Sequence, residues 1–215
     1  KYFKIDLDTY EIAHLAYKIE RIDCKLAGGR QDQFAAAFGG INFMEFHKNN
    51  KVIVNPLRIN ESITSKLETS LILYSTKVSR HSYKIIEEQK MNVERKLKEK
   101  LEAMHKLKEE AILFKEYLLK DNLKGIINAL LVGWKNKIVS AKSVTNEYID
   151  EIYRVALSNG AEAGKISGAG GGGFLIFFVP IEKRKNLIKS FSKYKGEFSN
   201  CVFTTKGCEA WIERV

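Results

Sequence analysis

No apolar run in this sequence approaches the roughly 18 residues that span a bilayer, which excludes a membrane-spanning helix. The start, Lys1-Tyr2-Phe3-Lys4-Ile5-Asp6, lacks the apolar stretch of a secretory signal. It also lacks Met, so an upstream segment is expected. There are only three cysteines, Cys24, Cys201 and Cys208, and no C-x-x-C pair. That spacing excludes a disulfide scaffold and a zinc site, and it points to a reducing cytoplasm. The four scattered histidines form no H-E-x-x-H pair, so no metal ligands are expected within this chain. There is no internal repeat and no low-complexity linker.

What is present suits a packed core. Of the 215 residues, 45% are hydrophobic and 11% aromatic, a length for one or two domains. Lys and Arg exceed Asp and Glu by 36 to 26, for a net charge of +10. A nucleic-acid binder concentrates such charge on one surface. Here the lysines are spread along the chain and interleaved with glutamates, so no nucleic-acid partner is expected. The excess attracts anionic small molecules such as nucleotides and sugar phosphates.

Helix over 8–23 follows from Asp8 as cap, Glu11 three residues on, and Ile12, Leu15, Ala16, Ile19 and Ile22 on one face. Residues 31–38 read as a short helix stopped by Gly39-Gly40. Strands are expected near 41–47 and 51–56, turning at Asn49-Asn50, and a buried strand at 71–76. Residues 91–120 read as one long helix with an apolar stripe and the pairs Glu94–Lys98, Glu102–Lys106 and Glu116–Lys120. Further helices are expected at 122–139, 145–158 and 181–193, and closing strands at 199–205 and 208–214. The mixture has no regular βαβ rhythm, which makes the class α+β.

Two motifs carry chemistry. Five of the six residues Gly168-Ala169-Gly170-Gly171-Gly172-Gly173 are glycine, and an apolar strand follows at once. Ordering so many glycines costs entropy, which favours a loop that closely approaches a phosphate or another loop over a flexible turn. Gly168-x-Gly170-x-x-Gly173 matches the dinucleotide pattern, but the expected order here is helix, loop, strand, the reverse of that fingerprint. Phe174 stands where a Walker loop needs Lys. The second motif is Gly28-Gly29-Arg30-Gln31-Asp32-Gln33. Asp32 falls in the first turn of the short helix, where a carboxylate gains from the helix dipole. Alone it reads as a helix cap; its glycines and polar neighbours point to a site.

Gly29-Arg30-Gln31-Asp32-Gln33-Phe34-Ala35-Ala36-Ala37-Phe38-Gly39-Gly40 and Lys165-Ile166-Ser167-Gly168-Ala169-Gly170-Gly171-Gly172-Gly173-Phe174 together resemble the GHMP kinase superfamily of galactokinase, homoserine kinase, mevalonate kinase and phosphomevalonate kinase. Tyr74-Ser75-Thr76-Lys77-Val78-Ser79-Arg80 and Trp134-Lys135-Asn136-Lys137 resemble its bacterial D-glycero-D-manno-heptose 7-phosphate kinases and, less closely, its fucokinases. The resemblance runs along essentially the whole chain.

The resemblance implies a split of the chain into 1–65, the tail of the N-terminal ATP-binding domain, and 66–215, a ferredoxin-like α/β sandwich forming the C-terminal domain. It implies ATP as cofactor with Mg2+, a sugar phosphate as substrate, and the anomeric hydroxyl as acceptor, for nucleotide-heptose and surface-polysaccharide synthesis. A homodimer is compatible with it. Asp32 would orient the hydroxyl and accept its proton, and Arg30 would offset phosphate charge. Gly168, Ala169, Gly170, Gly171, Gly172 and Gly173 would close on the nucleotide side. Gln31, Gln33, Arg80, Lys135 and Lys137 are the substrate-side candidates, although for Arg80, Lys135 and Lys137 a solvated basic residue is an equal reading. The family's Pro-x-Gly-Leu-Gly-Ser-Ser-like phosphate loop, whose region supplies the magnesium ligands, has no counterpart here. These residues alone are therefore expected to be inactive. A non-catalytic ligand-binding relative is the rival from another class.

Overall fold

In the computed structural model, which describes residues 6–78 and 82–210, Asp8 caps the first helix, α1 (Thr9–Tyr17). The Glu11 N–H donates to Asp8 Oδ1 and the Asp8 N–H to Glu11 Oε2, each at 2.8 Å, which makes a complete capping box. The helix then changes character. Lys18–Asp23 is π-helical, closed by Cys24 N–H on the Ile19 carbonyl at 2.9 Å. The wider turn rotates the apolar stripe expected over 8–23. Ala13 is buried, but Leu15, Ile19 and Ile22 are exposed, Ile22 to 59%.

Helix α2 (Gln31–Phe38) ends at Gly39, whose φ of 62° suits glycine. An antiparallel hairpin follows, β1 (Asn42–Phe46) with β2 (Val52–Pro56), in the register Met44↔Val54. Asn49 and Asn50 turn it with φ of 63° and 64°, a conformation that Asn tolerates. Ala13, Phe34, Ala37, Val52 and Val54 form the core of this unit, which holds residues 1–58 and 203–215. Its later segment runs along the end of α2. Gly40 N–H donates to Thr204 O at 2.9 Å and Cys208 N–H to Ala37 O at 3.1 Å. A Cβ on Gly207 would lie 2.1 Å from Ala37 O, so only glycine allows this approach. The strand expected at 199–205 forms earlier and shorter, at Glu197–Asn200 in the second unit, and these backbone positions take the place of its later part; the strand expected at 208–214 falls largely outside the described residues. The described residues 201–210 have no regular strand, and residues 211–215 lie outside the described residues.

The second unit, residues 59–202, begins with α3 (Glu61–Ser70), a helix that residue pattern did not reveal. It then runs β3 (Leu71–Ser75), α4 (Ser82–Glu94), α5 (Lys98–Leu119), α6 (Leu123–Ser140), α7 (Glu147–Ser158), β4 (Ala163–Ile166), β5 (Phe174–Phe178), α8 (Ile181–Ser190) and β6 (Glu197–Asn200). The sheet order is β4-β5-β3-β6, and every neighbouring pair is antiparallel. That is the split βαβ arrangement of a ferredoxin-like sandwich, as expected. Tyr74, Ile152, Ile166, Leu175 and Phe177 are at the centre of its core. Arg184 on α8 fastens the edge strand, donating to the carbonyls of Thr69 and Leu71 and to Asn200 Oδ1.

The single helix expected at 91–120 is two helices. Lys96 takes a φ of 50° and the chain turns before Lys98. The expected pair Glu94–Lys98 is split by this turn. Lys90–Glu94 and Lys98–Glu102 form instead, at 3.9 and 4.0 Å, while the expected Glu116–Lys120 pair stands at 3.1 Å.

Candidate active site

Asp32 occupies the second position of α2, exposed. Among the described residues its carboxylate has no hydrogen bond or ion pair, so it is not the cap of its own helix. The segment before it and its neighbours Arg30 and Gln33 are tied down. Arg21, on the π-helical segment, donates from Nε to Gly29 O and from Nη1 to Ala27 O, both at 3.2 Å. Its guanidinium lies where a Cβ on Gly28 would be, 2.4 Å from Cζ, so a side chain at position 28 would displace it. Gln33 points inward, 5% exposed, and its Nε2 donates to Glu20 Oε2 at 2.6 Å. Its Oε1 is buried without a partner among the described residues.

Arg30 stacks on Tyr17, with Cζ 4.4 Å from the ring centroid, and donates to the carbonyl and side-chain oxygen of Asn50. Two of its five N–H donors are thereby used by the hairpin turn. Gln31 is exposed beside Asp32. The arrangement is a short helix fixed at both ends that presents one unengaged carboxylate, the form required of a group that must meet a ligand rather than hold the fold. Sequence reasoning missed Glu20 and Arg21. Their signal was a charged pair ahead of the double glycine, but their targets, two backbone carbonyls for Arg21 and the Gln33 side chain for Glu20, are not revealed by pattern.

The glycine loop lies in the second unit. The expected helix does precede it as α7, but an unforeseen strand, β4, stands between them, and the loop is the connection of the antiparallel pair β4–β5. Gly168, Gly170, Gly171 and Gly173 all have positive φ, from 73° to 128°. Backbone groups hold it on two sides. Gly171 N–H donates to Val144 O at 2.8 Å and Gly173 N–H to Val78 O at 3.0 Å. Thr76 donates to Gly173 O through both its N–H and its Oγ1, at 2.9 Å each. A Cβ on Gly170 would come 2.7 Å from Val144 O, and one on Gly172 2.5 Å from Val78 O. Much of the glycine content is therefore explained by close backbone packing, while at Gly168 and Gly173 the space is open.

The Val144 side is itself braced. Glu88 on α4 accepts from the N–H groups of Lys142 and Ser143, at 2.7 and 3.1 Å, and from the Ser143 hydroxyl. Burial pushes the Glu88 carboxyl up, but those donors outweigh it and hold the group below its ordinary value of 4.5. Asn146 caps α7 and donates from Nδ2 to Gly171 O at 3.4 Å.

The basic candidates separate. Lys135 is exposed on α6. Lys137, two residues on and so on another face, donates from Nζ to the carbonyls of Gly168 and Ile166. Burial, and then the charge of Lys165, push its pKa down to about 8. Burial likewise pushes Lys165 below its ordinary value. Arg80 lies outside the described residues. Among the described residues no three His, Cys, Asp or Glu side chains group to hold a metal, so these residues do not by themselves fit a Mg2+ site.

The mevalonate kinase of L. major aligns over 91% of this chain and 58% of its own, with a TM-score of 0.67 at 17% identity, which shows a common fold. Models for the GHMP kinases N terminal domain and the GHMP kinases C terminal match residues 1–40 and 114–196. The chain belongs to the GHMP kinase family.

It is 45% identical over 213 residues to the D-glycero-alpha-D-manno-heptose 7-phosphate kinase of Campylobacter jejuni, a match that covers 98% of this chain and 62% of that protein. A D-glycero-D-manno-heptose 1-phosphate kinase from Bacteroides thetaiotaomicron superimposes with a TM-score of 0.75 at 34% identity, covering 100% of this chain and 58% of that one. The chain thus spans about three fifths of the length of these relatives. No helix among the described residues is long and apolar enough to cross a membrane.

Proposed function

We propose that this chain is part of an ATP-dependent kinase that phosphorylates the anomeric hydroxyl of a sugar phosphate, D-glycero-D-manno-heptose 7-phosphate, to give the 1,7-bisphosphate for nucleotide-heptose synthesis. The observation that carries this reading is Asp32, a free carboxylate on a helix whose surroundings are hydrogen-bonded into place. The 45% identity to a heptose 7-phosphate kinase supports the choice of sugar. Residues 1–65 act in this reading as the end of the ATP-binding domain and 66–215 as the C-terminal domain.

Phosphoryl transfer asks a protein chiefly for positioning and charge stabilisation. Asp32 orients the anomeric hydroxyl. Its oxygen forms a bond to the γ-phosphorus, the bond from that phosphorus to the β,γ-bridging oxygen breaks, and ADP leaves. The hydroxyl proton passes to the Asp32 carboxylate as the new bond forms. Arg30 offsets charge with the donors that Asn50 does not use, and Gln31 is the exposed polar neighbour on the acceptor side. Mg2+ would neutralise phosphate charge, and its ligands would come from outside these residues.

The test is ADP release by the natural full-length protein with magnesium ATP, supplied in parallel with heptose 7-phosphate, fucose or galactose. Turnover with the heptose phosphate alone supports the proposal. Turnover with fucose alone replaces it with the fucokinase-like reading, consistent with 25% identity to a bifunctional fucokinase/GDP-fucose pyrophosphorylase of Arabidopsis thaliana. Tight sugar binding with no turnover on any acceptor would mark a ligand-binding relative. Residues 1–215 expressed alone are expected to give no turnover, since the family's main phosphate loop is not among them.

A further inference from the structure

Between α5, α6 and β4 lies a cleft of about 130 Å³. Its walls are largely apolar, with Leu107 and Phe114 from α5 and Leu130 from α6. Three ionisable side chains also line it, one per element: Glu110 on α5, Lys137 on α6 and Lys165 on β4. None of the three makes an ion pair among the described residues. Lys137 gives N–H groups to the carbonyls of Ile166 and Gly168, which fixes its direction and leaves a third donor. Lys165 has no hydrogen-bond partner among the described residues.

Two neighbouring ammonium groups withdrawn from water, with no carboxylate on either, are costly. Glu110 does not relieve them, because it forms no ion pair with either lysine. A purely structural cleft would be better filled by apolar side chains of the same length. A doubly charged anion would turn the mutual repulsion of the lysines into attraction and satisfy their idle donors. The volume suits a head group rather than a whole nucleotide, since pockets for larger ligands run from about 300 Å³ upward.

We infer that Lys137 and Lys165 form a phosphate-monoester site in this cleft. Residue pattern alone gave Lys165 no role. Only the identity of the occupant rests on the proposed function: there the phosphate is the sugar substrate's own, and otherwise it belongs to a separate phosphorylated effector.

The experiment pairs a binding readout with kinetics on the natural full-length protein. Inorganic phosphate is titrated while thermal melting is followed, for wild type, Lys165→Met, Lys165→Arg and Lys137→Met. Wild type and Lys165→Arg should be stabilised by phosphate, and the two Met variants should not. Lys165→Met carries the test, because Lys165 makes no bond that the fold depends on, whereas Lys137 also holds the glycine loop. In ADP-release assays Lys165→Met should raise KM for the sugar phosphate about 10- to 100-fold, the scale of one charge-assisted hydrogen bond, with kcat and the KM for ATP little changed. Loss of phosphate stabilisation with an unchanged sugar-phosphate KM assigns the site to a separate effector and keeps it. Phosphate stabilisation that depends on Lys165, in a protein that turns over no sugar phosphate, keeps the site and removes the kinase reading. Normal turnover with unaltered KM and unaltered phosphate stabilisation in Lys165→Met overturns the inference and leaves the kinase reading standing.

Discussion

The segment that carries Asp32 and the glycine hairpin are both held by contacts beyond their own helix or strand pairing, yet by opposite means. Around α2 the work is done by side chains: Arg21 donates to the carbonyls of Ala27 and Gly29, Arg30 to that of Asn50, and the Gln33 side-chain amide to Glu20. In the hairpin the main contacts are backbone on backbone, Gly171 to Val144 and Gly173 to Val78. The first device leaves an unengaged carboxylate at the surface of a fixed element. The second removes side chains so that three segments can meet at van der Waals distance. A proposed catalytic group and a packing joint thus have different tolerances, and substitutions should separate them.

The largest effect expected is at Asp32. Asp32→Asn keeps the shape and removes the charge, and in the full-length protein turnover should fall about 10²- to 10⁴-fold. Melting temperature and ligand affinity should stay near wild type, because the carboxylate holds nothing in the fold and its contribution is to the transition state. Calorimetric binding and melting beside initial rates check this. Retained turnover would leave Asp32 an ordinary surface residue.

Next comes a paired glycine test. Gly170→Val forces a side chain onto the Val144 carbonyl at a φ of 128°, and should cost about 1–3 kcal/mol of stability and raise the KM for ATP. Gly29→Ala meets nothing within 4 Å and has no positive φ, so its stability should stay within about 1 kcal/mol of wild type or rise. Chemical denaturation of both variants decides it. Equal losses would mean that the two regions do not differ as described.

A smaller effect is expected at Glu88, which braces Val144 through its neighbours. Glu88→Gln should cost about 1 kcal/mol, reduced by partial exposure, and loosen the hairpin. The folded-state pKa is depressed, so the stability Glu88 contributes is present above its ordinary 4.5 and is lost as pH falls through the folded value. The melting-temperature gap between wild type and Glu88→Gln should therefore be constant near neutrality and close in acid. Least of all should Lys135→Met matter: it is solvated, and both stability and KM for the sugar phosphate should stay within about 0.5 kcal/mol of wild type.

The sequence by itself determined the elements whose signals are local. The Asp8–Glu11 capping box, α2 from Gln31 to its Gly39 stop, the Asn49-Asn50 turn and the apolar run of β3 rest on residue type at short spacing, and the α+β class follows from them. Asp32 was legible for the same reason, being a carboxylate in the first turn behind a double glycine.

Tertiary structure alone decided the rest. The π-helical turn after Tyr17, the break at Lys96 within a continuous apolar stripe, and the strand at 163–166 ahead of the glycine loop depend on which partners satisfy the backbone. A period in the sequence cannot report those partners. Lys135 and Lys137 look alike in sequence, and only the packing of α6 against β4 leaves one in water and desolvates the other beside Lys165. The glycine run was readable as a demand for close approach, but that Val78 and Val144 are what it approaches is a fact of three segments far apart in the chain. Contacts of that kind are set by the folding of the whole unit, because the free energy that fixes them comes from burying its common core and not from the residues in contact.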